Sequence, residues 1–231
     1  MNSIDLSLYL VTDNSDDVEK FLKTIEDGIK GGVSVVQLRE KTANTLDFYN
    51  LALRVKEITS KYNVPLIIND RIDIALAIDA DGVHVGQSDM PCDVARKLIG
   101  KDKILGISAS TIPEAQKAQK DGADYIGTGA VFPTTTKDDA PSVTKQELKE
   151  IVDSIDIPVV AIGGITIENA SELIDTGISG LSVVSAIMSA KNPKKASQEL
   201  LNIFNSWFYF FKKKEKVKKL FFTVFKCFYS S

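Results

Sequence analysis

The chain has 231 residues, 44% of them hydrophobic and 26% charged, with a formal net charge of −3. That length suits one large domain, and apolar runs of only a few residues exclude a transmembrane helix of about 20 residues. Two cysteines exclude a disulfide framework or zinc knuckle, and one histidine leaves little room for His-based metal sites or triads. The start, Met1-Asn2-Ser3-Ile4-Asp5, has neither the basic nor the apolar segment of a secretory signal, so a reduced, cytoplasmic protein is expected.

Charge is unevenly spread. Residues 206–231 hold seven lysines against the single acid Glu215, together with ten of the 18 aromatic residues. Residues 1–205 carry 21 basic against 30 acidic residues, which speaks against nucleic acid as a partner. Two units are therefore predicted: a globular body over 1–205 and a Phe/Lys-rich extension over 206–231 that is not part of it. The extension reads as dispensable, with a basic amphipathic membrane-surface segment as its functional alternative.

Within the body, short β-branched runs predict strands at 8–11, 33–38, 65–68, 82–85, 104–107, 125–129, 158–162 and 181–184. Helical patterns follow each, such as 48–58 with apolar residues three and four apart, and a last one near 194–204. Left-handed stops are expected at Gly31-Gly32, Asp81-Gly82, Asp121-Gly122 and Thr176-Gly177. Eight βα units in about 200 residues predict a single closed (β/α)8 TIM barrel, with its chemistry at the C-terminal strand ends. A doubly wound open sheet is the alternative, but the first strand runs into Thr12-Asp13-Asn14-Ser15 without a glycine-rich turn.

The strand ends carry polar groups suited to phosphate. Gln37, Arg39 and Lys41 alternate with Leu38 and Glu40, so one face of strand two, continuing from Val33 and Val35, points polar heads into the barrel. An inward cationic pair there calls for an anion, although a solvated charge run or an ion pair with Glu40 has the same pattern. Strand three ends in Asn69-Asp70, and strand four leads to Asp89. Two hard carboxylates on neighbouring strands suit Mg²⁺, whereas each alone reads as a helix N-cap. Thr134, Thr135, Thr136 and Lys137 follow strand six as donors to phosphate oxygens. Gly163-Gly164 after strand seven and Val184-Ser185 after strand eight occupy the frequent phosphate position of such barrels, where backbone N–H groups meet an anion at a helix N-terminus. His84 reads as a core-packed imidazole and Cys92 as a small buried thiol.

In order along residues 7–204, Tyr9-Leu10-Val11-Thr12-Asp13, Gln37-Leu38-Arg39-Glu40-Lys41, Asn69-Asp70, His84-Val85-Gly86-Gln87-Ser88-Asp89, Pro133-Thr134-Thr135-Thr136-Lys137 and Ile162-Gly163-Gly164-Ile165 resemble the thiamine-phosphate synthase family. The resemblance implies an enzyme that condenses a hydroxymethyl-aminopyrimidine diphosphate with a thiazole phosphate, releasing pyrophosphate. It implies that Gln37, Leu38, Arg39, Glu40, Lys41, Asn69, Ser108 and Lys137 hold the pyrimidine diphosphate, with Arg39, Lys41, Ser108 and Lys137 acting in catalysis. Thr134, Thr135, Thr136, Gly164, Val184 and Ser185 would hold the thiazole phosphate, and Asp70 and Asp89 one Mg²⁺ per subunit. The implied partners are these small molecules, with no nucleic acid or membrane, and a homo-oligomer is compatible with the pattern. Ser110 departs from the histidine found there in many members. A thiazole tautomerase-like paralogue and a non-catalytic phosphate-ligand module are the alternatives; Asp89 and Lys137 argue against both.

Every one of these residues precedes the extension. Removal of residues 207–231 is therefore expected to preserve pyrophosphate release and to raise solubility, because clustered exposed aromatics favour association. A truncated protein that folds, by circular dichroism, but releases no pyrophosphate would contradict this.

Overall fold

The predicted strands form because their residues are apolar on successive positions, as a parallel sheet covered on both faces requires. A computed structural model of the chain describes residues 4–14, 16–134 and 142–206. The strands are β1 (Leu8–Val11), β2 (Val35–Leu38), β3 (Leu66–Asn69), β4 (Gly82–Val85), β5 (Ile104–Ser108), β6 (Tyr125–Thr128), β7 (Val159–Ile162) and β8 (Gly180–Val183). Each pairs in parallel with the next, and β8 returns to β1, so the sheet is a closed eight-stranded barrel. The helices are α1 (Val18–Lys30), α2 (Thr45–Lys61), α3 (Ile72–Ala77), α4 (Cys92–Ile99), α5 (Ile112–Lys120), α6 (Lys145–Asp153) and α7 (Ser185–Met188). A last helix, α8, covers 193–206. No helix among the described residues is long and apolar enough to cross a membrane.

Local chemistry starts these helices. Asp17 and Asn44 accept N–H bonds from Lys20 and Asp47, while Thr111 with Glu114 and Thr144 with Glu147 form reciprocal capping boxes. Between β7 and β8 the expected α-helix is instead a 3-10 helix, Ala170–Thr176. Three of the expected left-handed stops are present, at Gly32, Gly122 and Gly177, all with positive φ. The fourth is not: Gly82 belongs to β4, and Asp79, at φ 54°, turns the chain after α3. Gly82 serves packing instead, since a Cβ there would lie 2.2 Å from the Ile104 carbonyl oxygen.

Alternation sorts the side chains into two cores. Leu8, Leu10, Val36, Leu38, Leu66, Ile68, Val83, Leu105 and Ile126 join the helices in an outer layer. Tyr9, Val11, Val35, Ile67, Tyr125 and Val160 fill the barrel interior. Val33 was expected on the interior face with Val35, but it packs in the outer layer, because β2 begins only at Val35. The N-terminal end of the barrel is closed by carboxylates that satisfy the first strand N–H groups: Asp81 accepts from Leu66 N at 2.8 Å, and Asp124 from Leu105 N at 2.7 Å. Arg96 adds a staple, donating to Asp124 and to the carbonyls of Gly100, Lys103 and Gly122.

Closure between β8 and β1 leaves no room for a side chain at Gly180, where a Cβ would lie 1.7 Å from the Leu6 carbonyl oxygen. Gly180→Ala is expected to cost about 2–3 kcal/mol through forced strand separation. The check is a urea titration, with a lowered midpoint at unchanged m-value; an unaltered midpoint would mean the β1–β8 seam yields freely.

Candidate active site

The C-terminal ends of the strands surround a cavity of about 620 Å³. Gln37 on β2 and Arg39 and Lys41 in the segment just after it all reach the cavity, as the spacing of two predicts. The intervening pair does not: Leu38 is buried in the outer layer, and Glu40 turns back to accept N–H bonds from Thr42 and Ala43. Their side chains therefore lie outside the cavity. Asn69 and Asp70 enter from the end of β3, Gly86 to Asp89 from the loop after β4, and Ser108 from the end of β5. Thr134, Gly163, Gly164, Val184 and Ser185 line the opposite side. Thr135, Thr136 and Lys137, like the extension over 207–231, lie outside the described residues.

Neither aspartate acts as a side-chain helix cap. The residues flanking α3 and α4 at their starts are Arg71 and Pro91, and neither helix has a side-chain cap bond. Asp70 sits at φ 59°, an unusual conformation for a residue with a Cβ, and its carboxylate accepts from Lys41 Nζ. Burial pushes the Asp70 carboxyl above the usual aspartate range; Lys41 offsets part of this, and the neighbouring Asp89 carboxylate raises it further. Asp89 is itself held by the Gly86 N–H at 2.8 Å. No group of three or more His, Cys, Asp or Glu side chains suited to a metal occurs among the described residues.

On the side of β7 and β8 the cavity is neutral. No helix begins at Gly163-Gly164, contrary to the expectation of a helix N-terminus there; the 3-10 helix starts six residues later, at Ala170. Asn169 ties this loop instead, donating to Gly164 O and accepting from Thr166 N. The helix that does begin at the cavity edge is the one-turn α7, at Ser185.

A polar floor that sequence reasoning did not identify lies beneath these groups. Gln37 Nε2 donates to Tyr9 Oη at 2.8 Å, and the hydroxyls of Tyr9 and Tyr125 meet at 2.6 Å. Tyr125 Oη contacts His84 Nδ1 at 3.0 Å, and His84 Nε2 contacts Ser108 Oγ at 2.9 Å. His84 is buried, as expected of a core imidazole, yet it also lines the cavity. Strand alternation alone would have placed Tyr9, His84 and Tyr125 on interior faces; their mutual contact needed the closed barrel. Burial pushes both phenols well above their ordinary range, so both stay protonated. Cys92 is inert by comparison, its thiol pushed up to about 11 by burial and by Asp121.

The pattern of the thiamine monophosphate synthase family matches residues 8–187. A thiamine-phosphate synthase of Methanobrevibacter smithii is 76% identical over 206 residues, covering 89% of this chain and 99% of that protein. One from Clostridium acetobutylicum is 56% identical over 204 residues, covering 88% and 97% respectively. Among solved structures, thiamine phosphate pyrophosphorylase from Pyrococcus furiosus superposes with a TM-score of 0.80 at 38% identity, over 89% of this chain and 98% of that one.

The two crowded carboxylates carry a stability consequence. A carboxyl raised above its ordinary value contributes stability that is fully present below the ordinary aspartate range and is lost as pH rises through the raised value. At neutral pH the Asp70 charge is therefore a net burden in metal-free protein. Asp70→Asn is expected to raise the thermal midpoint by about 1–3 °C in the presence of a chelator, since Asn also tolerates positive φ. A lowered midpoint would mean that the ion pair with Lys41 outweighs the repulsion.

Proposed function

This chain belongs to the thiamine monophosphate synthase family, and from that premise we propose how its barrel mouth joins two phosphorylated substrates. The function is thiamine-phosphate synthesis, a group transfer. The substrates we propose are 4-amino-2-methyl-5-(diphosphooxymethyl)pyrimidine and 4-methyl-5-(2-phosphoethyl)thiazole or its carboxylated tautomer. The observation that carries this reading is the polarity of one cavity: cations and paired carboxylates at β2 to β4 face a neutral backbone-and-hydroxyl wall at β7 and β8. A diphosphate with a divalent cation fits the first, and a monoester phosphate the second.

Arg39 and Lys41 bind the diphosphate, and Asn69 orients it from the end of β3. The fit for Mg²⁺ rests on two converging carboxylates, one of them destabilised in its charged form by the other. Asp70 and Asp89 would hold the ion, and when bound it supplies positive charge beside the diphosphate. In the reaction we propose, the methylene C–O bond breaks and its electron pair leaves with pyrophosphate. The thiazole nitrogen lone pair then forms the new C–N bond to the methylene cation. Such a step needs charge neutralisation and exclusion of water more than a general base. That requirement agrees with a cavity whose one imidazole is engaged on both nitrogens and whose described lining includes no thiol. Thr134 and Ser185 hold the thiazole phosphate, with Gly164 allowing close backbone approach; from outside the described residues, Thr135 and Thr136 are proposed to join them, and Lys137 to act on the pyrimidine diphosphate.

The test is a coupling assay on the full chain, following pyrophosphate. Release is expected only with both substrates and Mg²⁺, and Asp89→Asn is expected to lower turnover on the order of 100-fold at fixed Mg²⁺, about 2.7 kcal/mol of barrier. Thiazole phosphate affinity should be unchanged in that variant. Tautomerisation of the carboxylated thiazole alone, with no pyrophosphate release when the pyrimidine is added, would sink the reading.

A further inference from the structure

We infer that Tyr9 and Tyr125 are positioning residues: with Gln37 they fix His84 as its Nε2–H tautomer, which leaves the Ser108 hydroxyl proton directed into the cavity. The inference rests on the synthase reading for the identity of the ligand, but its geometry does not.

Counting protons along the chain of contacts sets the direction. The Gln37 amide nitrogen has only protons to offer, and it donates to Tyr9 Oη at 2.8 Å. A phenol has one proton, and among the described contacts the one acceptor within reach of that of Tyr9 is Tyr125 Oη, 2.6 Å away, so the inferred direction runs from Tyr9 to Tyr125. Tyr125, having accepted, gives its proton to His84 Nδ1 at 3.0 Å. A ring nitrogen that accepts carries no proton, so the neutral imidazole bears it on Nε2 and donates to Ser108 Oγ at 2.9 Å. Ser108 accepts there and keeps its own proton for a ligand. Burial of both phenols keeps each of them protonated, so each has its one proton to give.

The barrel is built around the chain. Gly106 on β5 leaves space that a Cβ would fill 2.1 Å from Tyr125 Cζ and 2.5 Å from His84 Nδ1. Gly127 on β6 does the same, with a Cβ 3.1 Å from His84 Cε1. Gln87 Nε2 holds the Ser108 backbone from the other side, donating to its carbonyl at 2.6 Å. The result is a hydroxyl donor at a fixed place on the cavity wall. It would take a heteroaromatic ring nitrogen, an acceptor, as the pyrimidine of the proposed substrate provides. With the opposite tautomer, Ser108 would have to donate to His84 and would face the ring nitrogen with a lone pair.

Because the chain has one histidine, its tautomer can be read without ambiguity. We expect long-range ¹H–¹⁵N correlation spectra of the full chain, labelled at histidine and free of substrates, to give an Nε2–H imidazole. Tyr125→Phe should move the ring toward Nδ1–H, with a smaller shift in Tyr9→Phe. The same Tyr125→Phe change should lower kcat/KM for the pyrimidine diphosphate about 10- to 100-fold and leave thiazole phosphate affinity unchanged. In a Ser108→Ala background the Tyr125→Phe loss should shrink to within about twofold, since the two act through one bond. An Nδ1–H ring in the unaltered protein overturns the inference. So does an undiminished Tyr125→Phe loss in the Ser108→Ala background, which would make the tyrosine merely structural. Should Tyr125→Phe not fold, the unaltered spectrum and Tyr9→Phe still decide. Failure of coupling in the unaltered protein would remove the synthase reading while leaving the tautomer result intact.

Discussion

Closure of eight short parallel strands is the constraint from which the rest follows. Once β8 pairs with β1, each strand must send alternate residues into an interior of limited cross-section and the others toward the helices. The interior admits large side chains only where neighbouring strands give way. Tyr9 and Tyr125 approach each other inside it, and Gly106 and Gly127 stand beside Tyr125 and His84. A buried hydroxyl without a partner costs about 1–3 kcal/mol, and here the two phenols and the imidazole find partners in one another, in Gln37 and in Ser108. The same alternation that fills the core therefore also builds the floor of the cavity.

The two ends of the barrel divide the work of stability and chemistry. At the N-terminal end, Asp81 and Asp124 are matched to strand N–H groups and Arg96 binds three carbonyls, so these three charges have structural partners. At the C-terminal end the charges conflict. Asp70 and Asp89 repel across a partly buried space, Asp70 adopts a left-handed backbone, and Lys41 compensates only in part. Such local frustration is what a site keeps when its groups are arranged for a ligand rather than for the empty fold.

Charge is also distributed by element. Arg39 and Lys41 come from one strand end, and the two carboxylates from the next two, so one wall is ionic. The facing wall offers hydroxyls and glycine backbone. A cavity with this division would accommodate the two anionic substrates proposed above without placing both against the same cations, which would set their own charges in repulsion.

The sequence alone determined the barrel, because strand length, β-branched composition and helix spacing are local properties that repeat eight times. It also determined which strand end Arg39, Lys41, Asp70 and Asp89 follow, since their distance along the chain from each apolar run is a local property. Other features waited on the tertiary structure. Whether Gly82 ends a helix or admits a neighbouring strand depends on the Ile104 carbonyl, which is 22 residues away. Val33 left the interior because β2 starts two residues later than its apolar run. Glu40, legible as part of a polar motif, turns to its own loop because its N–H partners lie just after it. His84 looked like a core residue and is one, but its contacts with Tyr125 and Ser108 join strands 41 and 24 residues apart. Contacts of that range have no periodic trace in a sequence; only closure of the sheet brings them within a hydrogen bond.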